Sequence, residues 1–431
     1  MNLALFVFLL IFVLMFLLRM PIPLGMISAC TFYFLISGTN VKMVAQQTLG
    51  MLFSNYTIIA VPLFIFAANV MNSGKVTEMI FGFSKGIVGR FRGGLGHVNV
   101  LASLIFSGMT GSAIADAAGL GKMEIEAMRQ EGYDDGFSCA ITAASATIGP
   151  IFPPSIPMVI YSMLSGASVG ALFMGGMVPG VLLAIALMIY IAIIARKRNY
   201  PRSAAIVLRE YLLYCLKAIP AILTPVILLV GIYTGVMTPT EAGAVAGFYA
   251  LIIAIFAYRV LNWNGFKQVL IDTVQATGTT SLMVGSATAI SYIVAREQIA
   301  VKLGNLILSM TNEPLVFLFI VNIALLILGM FIDTSVIQVV FIPIMLPLVN
   351  QLGIDLVHFG IVVVFNMMVG LSTPPFGMLL FITSGISGTP LKDVVKEILP
   401  MIVAMLIVLI IITYVPNVVL FLPRMFLGYT G

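Results

Sequence analysis

Phe106-Ser-Gly-Met-Thr-Gly-Ser-Ala-Ile-Ala-Asp116 and Gly149-Pro-Ile-Phe-Pro-Pro-Ser155 are poor membrane-helix sequence inside an otherwise apolar chain. Both recur. At a shift of 221 positions Gly108-Met109 falls on Gly329-Met330, and Gly132-Tyr133-Asp134 falls on Gly353-Ile354-Asp355. The same shift sets Gly149 on Gly370 and Pro153-Pro154 on Pro374-Pro375, without a gap. Each copy thus has a polar, glycine-bearing segment followed by an apolar run that a Pro pair breaks. In lipid an unsatisfied backbone group costs several kcal/mol, so irregular backbone survives only inside protein or around a cavity. Interrupted helices at corresponding places in two halves point to the substrate and ion site of a carrier.

Composition agrees. Of 431 residues 61% are hydrophobic and 9% charged, and the mean hydropathy is +1.15, which excludes an ordinary soluble core. Apolar runs near membrane-spanning length are expected at 2–18, 22–37, 57–71, 137–165, 171–195, 216–236, 240–258, 273–295, 355–385 and 397–421. Regions 95–130 and 303–350 hold the polar tips and read as helical hairpins that enter and leave on one side. The expected fold is an all-α polytopic membrane protein, an inverted repeat with two re-entrant hairpins and two interrupted helices, of elevator type. Its divisions are a first repeat over 1–197, a cytoplasmic connector over 198–215 and a second repeat over 216–431. Segment 72–94 mixes Lys75, Glu78, Lys85, Arg90 and Arg92 with Met79, Ile80, Phe83 and Val88, and reads as an amphipathic helix at the inner interface. The basic stretch 196–217 reads as a surface helix.

With the N-terminus outside, 17 basic residues fall in inner loops, against Lys42, Arg296, Lys302 and Arg424 outside. The net charge of +5 therefore marks loop orientation, not nucleic-acid affinity. Met1–Leu18 lacks a basic n-region and a small-residue cleavage site, so it reads as a first membrane helix. Cys30, Cys139 and Cys215, with His97 and His358, are too scattered for a metal site.

Three carboxylates, Asp116, Glu241 and Asp333, are placed near or inside membrane-embedded segments, where an acid is a functional-site hypothesis. Asp333 matches Ser112 in the other copy, so a charge breaks the symmetry there. It either serves the site or caps the second hairpin arm through the N–H groups of Ser335 and Val336. Asp116 reads as a cap or a partner of Lys122, and Glu241, after Thr238-Pro-Thr240, as a helix-start acid. Hydroxyls at Ser107, Thr110 and Ser112, the Gly149–Ser155 break, and the set Gly329, Asp333, Thr334, Ser335 and Gly370–Pro375 offer hard oxygens. Gly and Pro free backbone carbonyls beside them, so two equivalent cation sites follow. An anionic substrate would find no Lys or Arg in any expected membrane core. No Walker A motif is present, so ATP does not drive this chain directly.

Taken together, Phe106–Asp116, Glu131-Gly-Tyr-Asp134, Ile148–Ser155, Thr238-Pro-Thr-Glu-Ala-Gly243, Gly353-Ile-Asp355 and Gly370–Pro375 resemble the large membrane subunit of tripartite ATP-independent periplasmic (TRAP) transporters. The resemblance covers essentially the whole chain. It implies a multi-pass protein of the bacterial inner membrane, not an enzyme, that imports a small organic acid by sodium-coupled elevator transport. Sialic acid is favoured, with a C4-dicarboxylate next. It implies two or more Na+ ions as cofactors, a small four-helix membrane subunit, and a periplasmic binding protein that delivers substrate. Because the sequence opens on its first helix, the small subunit is expected as a separate chain. One sodium is implied at Ser107, Thr110, Gly149, Phe152 and Pro154, and a second at Gly329, Gly370, Thr373 and Phe376, where Phe376 offers only backbone. Substrate contacts are implied at Thr110, Ser112, Ser155 and Asp333.

Two other readings compete. A stand-alone sodium/dicarboxylate symporter of a related elevator fold would share inverted hairpins, but Ser-Asn-Thr tips are absent. An intramembrane aspartyl protease needs a Gly-x-Gly-Asp setting, and Asp134 follows Tyr133 instead. A channel would be separated from a carrier by counterflow in liposomes.

Overall fold

The computed structural model describes residues 3–18, 20–54, 56–72, 74–203, 208–299, 302 and 313–431, and these contain helices and no strand. Among the described residues six helices are long and apolar enough to cross a membrane, or seven if Lys42–Phe53 and Thr57–Met71, bent by 73°, form one span.

The N-terminal helices are α1 (Leu3–Leu17), α2 (Ile22–Ile36), α3 (Lys42–Ser54), α4 (Ala60–Met71) and the amphipathic α5 (Gly74–Val88). The first hairpin unit follows. Helix α6 (Gly94–Thr110) descends to a tip at Gly111-Ser112, and α7 (Ala113–Gly119) with α8 (Gly121–Gln130) returns. Gly111, at φ +60°, turns the chain there, and a methyl group on it would lie 2.5 Å from the Pro154 carbonyl oxygen. Only glycine meets both demands. Helix α9 (Asp135–Ala146) then breaks over 147–155 and resumes as α10 (Ile156–Ser165), before the long α11 (Val169–Lys197).

Helices α12 (Leu208–Tyr233), α13 (Pro239–Ile252) and α14 (Trp263–Arg296) precede the second hairpin. The second unit repeats the plan with α15 (Pro314–Gly329), a tip over 330–333, α16 (Thr334–Gln351), α17 (Leu356–Leu371), a break over 372–377 and α18 (Met378–Ser387). Both Pro pairs, 153-154 and 374-375, carry cis peptide bonds. Helices α19 (Leu391–Tyr414) and α20 (Pro416–Leu427) close the chain.

Packing between the units is reciprocal. In each, the descending hairpin arm lies on the first half of the broken helix, α6 on α9 and α15 on α17. The second halves cross over: α10 packs on α16 and α17, and α18 packs on α7, α8 and α9. The Tyr161 hydroxyl on α10 donates to the Leu356 carbonyl at 2.7 Å. Around this body stand α2, α3, α4, α13 and α14, with α14 on α3 and α13 on α4. Outward stripes such as Ile185, Ile189 and Ile193 on α11 are exposed while Leu187, Ile191 and Ala195 are buried. A helix apolar all round with one face outward suits a lipid neighbour.

Charge collects at one end. Arg198 Nη1 meets Asp134 at 3.0 Å and its Nη2 meets Glu397 at 2.9 Å, while Lys85 meets Glu131 at 3.1 Å. The Tyr200 hydroxyl also donates to Asp134. Burial and that bond together raise its pKa.

Several boundaries differ from the sequence reading. Helix α3 was not expected, because Gln46, Gln47 and Thr48 dilute its apolar pattern; Gly285 of α14 packs tightly against Thr48. The run at 397–421 is two helices that part at Val415-Pro416, since proline cannot donate the next backbone bond. In the basic stretch 196–217, α11 ends at Lys197 and the residues from Leu208 on belong to α12. Residues 204–207 of that stretch, and 303–312 of the expected second hairpin, lie outside the described residues.

Candidate functional site

Each hairpin tip rests on its own unit's helix break. In the first unit a methyl group on Gly149 would lie 3.3 Å from the Ser112 carbonyl carbon. The second is tighter: a methyl group on Gly370 would lie 2.7 Å from Gly329 Cα, and one on Gly329 would lie 3.1 Å from Gly370 Cα. Backbone meets backbone there, which explains glycine at both positions.

Between the two tips lies a cavity of about 730 Å³. The first unit lines it with Thr110, Gly111, Ser112 and Pro150, and the second with Asp333, Thr334 and Ser335. Opposite them stand Asn69 on α4 and Asp272, Gln275, Thr279 and Thr280 on α14. Helix starts face the same space. Ser112 caps α7 by accepting the Ala115 N–H, and Ile156 and Pro157 bring the first turn of α10 to the wall. Asp333 caps α16, its Oδ1 accepting the Ser335 N–H at 2.9 Å, while also lining the cavity. The capping and site readings of Asp333 are therefore compatible.

The other candidate residues gather at the tip–break junctions. Ser107 is buried and its hydroxyl donates to the Leu104 carbonyl at 2.6 Å; that of Thr110 donates to Phe106 at 3.4 Å. Thr373 does the same toward Val369 at 2.6 Å. Such hydroxyls use their proton on their own helix and keep lone pairs for a cation. Phe152 and Pro154 belong to the first break, and its Pro154 carbonyl touches Gly111. Phe376, 58% exposed, stands at the second break with its ring 5.6 Å from that of Phe331.

Ser155 lies off the main cavity. It is fully buried, donates to the Pro150 carbonyl and accepts the Met158 N–H, capping α10. With Thr110 and Thr224 it lines a separate void of about 10 Å³. Asp116 is also placed differently from expectation. It is buried, whereas Lys122 is exposed. Glu241 stands in a capping box with Thr238, as its position suggested.

Sequence reasoning missed the α14 wall. Asp272 fell just outside the expected span 273–295, because its neighbours Gln268 and Gln275 make the start of that helix polar. It also missed Glu124, which is fully buried. A signal existed: within α8, Glu124 falls in line with the apolar face of Ile125 and Met128, away from Lys122 and Glu126.

Comparisons with known proteins agree with this architecture. The family model described as "Tripartite ATP-independent periplasmic transporter, DctM component" matches residues 8–418. A sialic acid TRAP transporter large permease protein, SiaM of Vibrio cholerae, is 42% identical over 95% of this chain and 96% of its own. A C4-dicarboxylate TRAP transporter large permease protein, DctM of Pseudomonas aeruginosa, is 38% identical over 86% of this chain and 87% of its own. Among solved structures, the Alcanivorax borkumensis YdaH transporter superposes with a TM-score of 0.65. It covers 87% of this chain and 88% of its own at 13% identity, a likeness of fold alone. With paired hairpins, paired broken helices and a family match over nearly its full length, this inner-membrane chain belongs to the DctM family, the large permease component of TRAP transporters.

Proposed function

We propose that this permease imports a small polyhydroxylated organic acid, sialic acid before a C4-dicarboxylate, in symport with sodium. The observation that carries the reading is the cavity between the two tips. Its volume lies within the roughly 300–1,000 Å³ of small-molecule sites. The first turns of α7 and α10 offer backbone N–H groups and positive dipole ends to a carboxylate. Asp333, Ser335, Asn69, Gln275, Thr279 and Thr280 supply partners for hydroxyl and amide groups. The lining holds two carboxylates, Asp272 and Asp333, and no Lys or Arg. A dianion meets more repulsion there than a monoanion rich in hydroxyls, which favours the sugar acid. The V. cholerae relative, named for sialic acid, supports the same order.

Sodium fits the two junctions by donor chemistry: buried hydroxyls with spare lone pairs, broken backbone, and glycine contacts that a side chain would fill. Ser107, Thr110, Gly149, Phe152 and Pro154 would hold one ion, and Gly329, Gly370, Thr373 and Phe376 another. Bound there, sodium supplies positive charge close to the substrate anion without a buried Lys or Arg. Ions held by these residues would supply charge that couples a tip to its break, so that substrate and cations would favour the same arrangement of the hairpins. The reciprocally packed units are suited to move as one body against α3, α4, α13 and α14, carrying the cavity across. A small membrane subunit and a periplasmic binding protein complete the system in this reading, as the family's tripartite name supports.

Uptake of labelled sialic acid and succinate into proteoliposomes tests the proposal, with the small subunit and binding protein supplied. Sialic acid uptake should require a sodium gradient and fall to background when choline replaces sodium. Equal uptake driven by a pH gradient without sodium would overturn the coupling. Preference for succinate would overturn the substrate order, and full uptake without binding protein would remove the tripartite requirement.

A further inference from the structure

We propose that Asp116 and Glu124 form a proton-binding pair buried in the first hairpin, separate from the substrate cavity and from both sodium junctions. Asp116, on α7, is 1% exposed, and Glu124, on α8, is 0% exposed. Ser103 lies beside the Asp116 carboxyl, but its O–H is directed to Ser145 Oγ at 3.2 Å. Neither Asp116 oxygen has a hydrogen-bond partner, nor has Glu124 Oε1. The remaining oxygen, Glu124 Oε2, accepts from Asn99 Nδ2 at 2.8 Å.

No cation faces the pair from the elements packed on it. Helix α6 carries only His97, whose ring packs on Phe91. On α8, Lys122 and Glu126 are exposed and Arg129 is held by Asp135 and Thr389. Helix α9 carries Asp135, engaged with Arg129, and Cys139, directed to Ser387 and Thr389. Helix α18 has no titratable side chain. A buried carboxylate without a cation or hydrogen-bond donors costs several kcal/mol, and such a group is neutralised by taking a proton.

Polar contacts lead from Glu124 as far as Ser103, which lies beside Asp116. Ser103 reaches Ser145, the Ser145 hydroxyl donates to Asn99 Oδ1 at 2.6 Å, and Asn99 donates to Glu124. The fold does not require this chain of groups. At the 221-residue shift, Asp116, Glu124, Asn99 and Ser103 correspond to Ile337, Met345, Ile320 and Ala324. The second hairpin is built from apolar groups at the places where the first keeps two acids. The return arm bearing the pair begins at Ser112 on the cavity wall, so protonation is linked to the part of the protein that holds substrate. That link to transport rests on the proposed function; the proton site itself does not.

Infrared spectroscopy of the purified protein, without substrate or sodium gradient, tests the site. At neutral pH the wild type should show a carboxylic-acid C=O band that exchanges slowly in deuterium oxide. Asp116→Asn and Glu124→Gln should each reduce or shift it. In parallel, wild-type thermal stability should fall as pH rises from about 4, where a free carboxyl loses its proton, through neutrality, since the neutral form is the one the core tolerates. The amide variants should lose part of that fall. Absence of the band in the wild type would overturn the proposal without needing either variant to fold. So would a band unaltered in both variants, or one abolished by adding sodium, which would assign the site to a cation.

Discussion

The two hairpin units share a plan and differ in where they keep carboxylates. In the first, Asp116 and Glu124 are buried behind the tip with Asn99, Ser103, Thr142 and Ser145. The second has Ile320, Ala324, Ile337, Met345 and Val363 at five of those places, and its carboxylate, Asp333, is at the tip itself. The junctions differ too. Thr110 and Ser155 line one small void in the first unit, while their counterparts, Phe331 and Phe376, meet ring to ring in the second. Duplication therefore accounts for the shared scaffold, and the departures from symmetry mark the positions that the shared plan does not require. A substrate with a carboxylate at one end and hydroxyls elsewhere has no two-fold axis, so a symmetric cavity would suit it poorly.

The largest effect is expected at Asp333. Asp333→Asn should reduce sodium-driven sialic acid uptake to background in proteoliposomes, while the protein inserts and purifies normally. Asn caps a helix nearly as well as Asp, so a lone capping role predicts near-normal uptake by that variant. Its counterpart Ser112→Ala removes a neutral partner and should cost less than about tenfold, the scale of an ordinary hydrogen bond.

The glycine junctions come next. Gly370→Ala sets a methyl group against the Gly329 backbone and should lower both thermal stability and apparent sodium affinity, by about 1–3 kcal/mol for an overpacked contact. Gly149→Ala has more room and should have the smaller effect on both readouts. Equal sensitivity of the two would mean that the tighter second junction has no energetic consequence.

Ser155→Ala should cost about 1 kcal/mol of stability, the usual value of an N-cap, with substrate affinity nearly unchanged. A loss of affinity as large as that of Asp333→Asn would place Ser155 in the substrate site. The smallest effect is expected at the charged end, where Arg198 is partly exposed to solvent and screened. Arg198→Ala should lower stability by no more than about 1 kcal/mol and leave uptake unaltered.

Much of this arrangement was legible in the chain. Glycine tips and Pro pairs are local features, and the constant shift of 221 positions aligned them before any contact was known. The hairpin turn at Gly111-Ser112 and the breaks over 147–155 and 372–377 fall where those residues indicated. The opposite wall was hidden. Asp272 sits in the polar start of α14, and nothing local says that this stretch continues a membrane helix toward the tips. Helix α3 has too many polar residues for an apolar-run criterion, and is placed by its packing on α14.

What the sequence determined by itself was the helical class, the repeat, and the sites where helices must stop, because backbone conformation follows from nearby Gly and Pro. Which carboxylates are exposed to a cavity and which are sealed in the core was decided by tertiary structure alone. Asp116, Asp272 and Asp333 carry the same side chain, yet one is buried without a hydrogen-bond partner, one lines the cavity from α14, and one caps a helix at the same cavity. Burial and charge compensation depend on which distant helices pack together, and residues far apart in the chain supply those neighbours.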